Sequence, residues 1–92
     1  MKTGYRNSYR NTFALELGRT IREAREKRGI SQERLAEIIG MSQSSITNWE
    51  YGLYLPRVSE IVAMSVELDI PLDEFLKPLV ELYNVAKMGA ML

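Results

Sequence analysis

Apolar residues along this chain return every three or four positions in five separate stretches, and no stretch shows the every-second-residue alternation of a half-buried strand. After Phe13, the residues Leu17, Ile21 and Ala24 fall at i, i+4 and i+7, which predicts a first helix that Thr12 or Asn11 could cap and Gly29 could end. Gly18 lies inside it. A glycine there costs roughly 1 kcal/mol of helix propensity, so its presence predicts a close crossing by another helix. Ser31 is placed to cap a second helix, with Ile30 and Leu35 as a hydrophobic staple, Leu35, Ile38 and Ile39 as the apolar face and Gly40 as the stop. The same device repeats at once. Ser42 caps a third helix, Met41 and Ile46 staple it, Ile46 and Trp49 turn inward, and it stops near Gly52. Only the stretch from Gly40 to Ser42 separates the two, and so short a glycine-containing turn is the mark of a helix-turn-helix pair.

Beyond Pro56, Val58, Ile61, Val62, Ser65 and Leu68 keep helical spacing and predict a fourth helix. Pro71 restarts the chain. Asp73 and Glu74 suit the first turn of a fifth helix, whose stripe is Leu72, Phe75, Leu76 and Leu79, and Pro78 is expected to break or kink it near Lys77. From Val80 to Leu92 the chain stays strongly apolar. The expected fold is all-α with five helices, in three parts: a basic arm over residues 1–12, a helical domain over 13–79, and an apolar extension over 80–92. The arm rests on a near-duplicated tetrapeptide, Tyr5-Arg6-Asn7-Ser8 and Tyr9-Arg10-Asn11-Thr12, with no apolar periodicity beyond its tyrosines.

A chain of 92 residues fits one domain with short appendages, and 46% hydrophobic with 26% charged residues excludes wholesale disorder and low-complexity sequence. At this size folding buries on the order of 60% of the unfolded surface, so stability should be modest unless a partner chain adds to it. Cys and His are both absent. That excludes disulfides, thiol nucleophiles, the usual zinc sites and imidazole acid/base catalysis. No apolar run is long enough to span a bilayer and the first residues are too polar for a signal peptide, so the expected location is the cytoplasm. Net charge is zero, yet residues 1–34 hold nine basic and four acidic side chains, a net +5 that leaves −5 on the rest. Such a split suits one face meeting a polyanion, although a solvated helix of mixed charge gives a similar count.

The run from Ser31 to Gly52, with Gln32, Ala36, Gly40, Gln43, Ile46 and Trp49 at its key positions and Pro56 just beyond, resembles the helix-turn-helix of the phage repressor and Cro family, also called the xenobiotic-response-element family. The likeness extends back through Leu17-Gly18-Arg19-Thr20-Ile21-Arg22 and forward to Phe75-Leu76, covering roughly residues 13–79. It implies a lambda-repressor-like domain whose third helix enters the major groove, usually of a palindromic double-stranded DNA operator bound by a homodimer.

On that pattern Gln43, Ser44, Thr47 and Asn48 are the base-contact candidates, and Gln43 is the strongest, because an amide there can pair with adenine N6 and N7. Gln32, at the start of the preceding helix, is expected to clamp a phosphate and to brace Gln43. Ser42, Arg19, Arg57, Arg6 and Arg10 are the other candidates for the DNA backbone, since the third helix itself has no Lys or Arg and the loop Leu53-Tyr54-Leu55 lacks the basic residues common in the family. Glu50 would be repelled by phosphate and is read as structural, pairing with Arg22 or Arg25. Leu79, Val80, Tyr83 and Met88 are the candidate dimer interface. No carboxylate pair, glycine-rich phosphate cradle or activated nucleophile points to an enzyme, and no cofactor or metal is implied. The expected function is a DNA-binding transcriptional regulator, in most such cases a repressor. The alternatives are an antitoxin whose main partner is a toxin protein, and a protein-binding adaptor that keeps the fold.

Overall fold

The largest apolar side chains that are almost wholly buried, Phe75, Leu17, Ile21, Leu35, Ile46, Met64 and Leu68, are drawn from all five helices into one core. The computed structural model describes residues 4–91, with side chains described for 12–89. Helix α1 spans Gly4–Lys27, α2 Gln32–Ile39, α3 Gln43–Glu50, α4 Val58–Glu67 and α5 Leu72–Met91, and the described residues contain no strand. Helix α3 rests on α1 and α2, α5 on α1, and α4 lies between α2 and α5.

The turn between α2 and α3 forms as its residues dictate. Ser31 caps α2 by accepting from the Arg34 amide at 3.0 Å, and Ser42 caps α3 by accepting from the Ser45 amide at 3.2 Å. Between them Gly40 takes φ 72°, a left-handed conformation that a side chain would strain, and the Met41 amide closes the turn on the Ala36 carbonyl. Gly18 is the crossing point of α1 and α3. A Cβ there would overlap the Trp49 carbonyl oxygen and come within 2.7 Å of that of Glu50, so the two helix axes approach more closely than any other residue allows.

Three expectations are corrected. Helix α1 begins at Gly4 rather than after Thr12, so residues 4–12 open the first helix instead of forming a loose arm. The side chains of Arg6 and Arg10 lie outside the described residues. Of the break or kink expected at Pro78, the break does not occur, and helix α5 runs on through it. The proline leaves the Glu74 carbonyl without its helical donor, but Glu74 is exposed to water, and the buried Phe75 and Leu79 on either side hold the helix against α1. In α4 the inward face is Ile61, Met64, Ser65 and Leu68, whereas Val58 and Val62 are exposed together with Val66. Spacing alone had merged these two faces.

Candidate nucleic-acid interface

Helix α3 is short, so its orientation is set by what holds it. Ile46 and Trp49 anchor its inner face in the core. Its C-terminal end is tied by Glu50, whose carboxylate accepts from Arg25 Nε at 2.7 Å and Arg25 Nη2 at 3.1 Å. The side chains of Arg25 and Glu50 are only 11% and 4% exposed, which makes this a buried two-pronged ion pair rather than a surface contact. Arg25 also donates to the Ile30 carbonyl at 2.8 Å. The hydrogen bond to Glu50 raises the Arg25 pKa above the ordinary arginine value, although burial pulls the other way. Of the two arginines proposed for Glu50, Arg25 is the partner, while Arg22 pairs along α1 with Glu26.

Gln32 departs from its expected role. Its amide nitrogen donates to Glu50 Oε1 at 3.0 Å and its amide oxygen accepts from Thr47 Oγ1 at 2.9 Å. The brace is therefore applied to Thr47 and Glu50 and not to Gln43, because the closest polar groups of α3 at the start of α2 lie half-way along and at the end of that helix. Ser42 is spent on capping and on Ser45, whose hydroxyl is 3.1 Å away. By contrast, the side chains of Gln43, Ser44 and Asn48 have no hydrogen bond to any described residue, and Gln43 and Ser44 are exposed. Beside Asn48, the loop residues Tyr54 and Leu55 with Ser45 and Arg57 line a cleft of about 430 Å³ that no local sequence pattern marks, since its walls come from separate segments.

The positive half of the chain is largely neutralised in place. Arg19 is paired with both Glu16 and Glu23, Arg22 with Glu26, Arg34 with Glu37, and Arg28 approaches Asp69 at 3.8 Å. Most of these pairs are exposed and hold their partners weakly, so they can open to a phosphate. Of the two described arginines among the candidates for backbone contact, Arg19 is paired and Arg57 has no ion pair to a described residue. It precedes α4, where its own amide donates to Glu60 at 2.7 Å.

A glycine-turned helix pair whose second helix is locked from behind and carries free amide and hydroxyl groups in front defines a helix-turn-helix protein, the class that binds DNA to regulate transcription. The chain belongs to the Cro/C1-type helix-turn-helix family: the family model described as "Helix-turn-helix" matches residues 21–75. Among solved structures it is similar to the restriction-modification controller protein C.AhdI from Aeromonas hydrophila, at 29% identity and a TM-score of 0.67, over 71% of this chain and 94% of that one. No curated protein matches it. Among the described residues no helix is long and apolar enough to cross a membrane.

Proposed function

We propose that the protein is a sequence-specific repressor that occupies a palindromic operator as a homodimer, with residues 13–79 as the DNA-binding unit. The observation that carries this reading is the contrast along α3 between tied and free polar groups: Thr47, Ser42 and Ser45 are engaged internally, whereas Gln43, Ser44 and Asn48 are left for base edges. Gln43 pairs with an adenine, and Ser44 and Asn48 meet neighbouring bases. Arg19 and Arg57, with Arg6 and Arg10 earlier in α1, serve the DNA backbone, joined by the second amide hydrogen of Gln32, whereas Ser42 stays with its cap. The likeness to a controller protein supports regulation over the antitoxin and adaptor readings. Gln43→Ala is expected to cost about 1 to 3 kcal/mol of operator affinity and to relax preference at one base position per half-site. A competition titration against operators varied at each position measures both, and unchanged affinity with unchanged preference contradicts the assignment.

The dimer is proposed to form through the second half of α5, where Val80, Tyr83 and Met88 are 58%, 50% and 67% exposed. Leu79 drops out of that interface, since it is 3% exposed and fills the core of its own chain. An apolar stripe of this kind usually marks an interface, and a palindrome calls for a two-fold protein. Val80→Glu combined with Tyr83→Glu is expected to give a folded monomer that binds half-sites weakly. Sedimentation at micromolar concentration decides: a monomeric wild-type chain, or a double variant that stays dimeric, removes this interface.

A further inference from the structure

Four polar side chains, Thr47 and Glu50 of α3 with Gln32 and Arg25 behind it, form a hydrogen-bonded series that can run in one direction only. Arg25 donates and cannot accept; the Glu50 carboxylate accepts and cannot donate. Glu50 Oε1 receives both Arg25 Nη2 at 3.1 Å and the Gln32 side chain at 3.0 Å, so Gln32 must turn its nitrogen toward Glu50. Reversing the amide would set two acceptors against each other in a partly buried place. The Gln32 oxygen is thereby left facing Thr47, 2.9 Å from Oγ1, and an amide oxygen only accepts. The hydroxyl hydrogen of Thr47 is spent on Gln32. With Oγ1 held there, the stiff χ1 of a β-branched residue also fixes the methyl group, which is the one heavy-atom branch of the side chain that takes no part in the series.

We infer that Thr47 reads the operator through its methyl group, in apolar contact with the 5-methyl group of a thymine, and supplies no hydrogen-bond donor to guanine. Arg25, Glu50 and Gln32 are positioning residues for that contact, acting through Thr47. This rests on the reading of α3 as the helix in the major groove, where a thymine methyl is within reach of an apolar side-chain group.

The test uses the full chain and an operator recovered from random DNA, in which each thymine is replaced in turn by uracil. That change removes one methyl and leaves the hydrogen-bonding edge intact. The wild-type protein should lose about fourfold in affinity at one thymine per half-site, the worth of one buried methyl group. Thr47→Ser keeps the hydroxyl and removes the methyl, so it should bind the thymine and uracil forms of that position equally. Thr47→Val keeps a methyl but loses the hydroxyl that Gln32 holds, so, where circular dichroism shows a cooperative melt, it should discriminate less than the wild type and more than Thr47→Ser. The inference is overturned if the half-site holds no thymine, if every replacement is neutral for the wild type, or if Thr47→Ser retains the wild-type discrimination. The major-groove reading survives those outcomes as long as Gln43→Ala relaxes its own base position. An absence of any sequence-selective binding overturns both.

Discussion

Glu50→Ala is expected to lower the stability of the protein by about 3 to 5 kcal/mol, the usual cost of leaving one member of a buried ion pair alone. The substitution strips Arg25 of both its carboxylate contacts while its side chain stays 11% exposed, and it also takes the acceptor from Gln32. Domains of this size are held by roughly 5 to 10 kcal/mol, so the variant should lose about half of its stability and unfold at a much lower denaturant concentration. Removing both charges is a different matter. Arg25→Met with Glu50→Met removes the desolvation penalty along with the attraction, and it should recover most of the lost stability, as apolar replacements of buried pairs often do. Urea unfolding of Arg25→Met, Glu50→Met and the double variant measures the coupling. If Glu50→Ala costs less than about 1 kcal/mol, within the range of an exposed pair, then the ion pair does not hold the end of α3.

Gly18→Ala is the second large effect, and its sign runs against helix propensity. Alanine at that position gains roughly 1 kcal/mol of propensity. Its Cβ would, however, overlap backbone carbonyl oxygens of Trp49 and Glu50, and those cannot rotate aside as a side chain can. Helix α3 must move outward, loosening Ile46, Trp49 and the Arg25–Glu50 pair together. The net loss should be about 2 to 3 kcal/mol, in the upper range for overpacked cores, which for a domain of this length lowers Tm by some 10 to 20 °C. Gly89→Ala is the control. Gly89 lies within α5 with nothing near its would-be Cβ, so the same substitution there should raise stability slightly. Equal shifts of Tm for the two variants would mean that the α1–α3 crossing tolerates a side chain.

The parts of the fold that depend on near neighbours in sequence were legible in it. Serine caps, glycine stops and paired staples act within a few residues, which is why the boundaries of α2 and α3 and the inward turn of Ile46 and Trp49 could be read directly. Gly18 was legible for another reason: an unfavourable residue in a helix asks for an explanation, and a close crossing is the common one. The remaining differences have separate causes. Tyr5, Tyr9 and Phe13 recur every four residues, a helical spacing within the very repeat that reads as an arm. Pro78 has a strong local preference that packing of Phe75 and Leu79 against α1 overrides, and the two faces of α4 differ only in what lies across from them. At the interface the residue types were visible but their hydrogen-bond partners were not. In the sequence Gln32 points to a phosphate and to Gln43, and only the folded chain brings Thr47 and Glu50 to its two amide atoms.

The measurement closest to the proposed mechanism is selection of binding sites from random double-stranded DNA with the wild-type protein and, in parallel, with Gln43→Ala. A homodimer that places α3 in successive major grooves should enrich an inverted repeat whose half-sites are centred about one helical turn apart, roughly 34 Å. The variant should recover the same spacing with one position in each half-site no longer specified. Recovery of no common sequence by the wild-type protein, or of an identical sequence by both proteins, would contradict the assignment of α3 as the reading helix and of Gln43 as its first base contact.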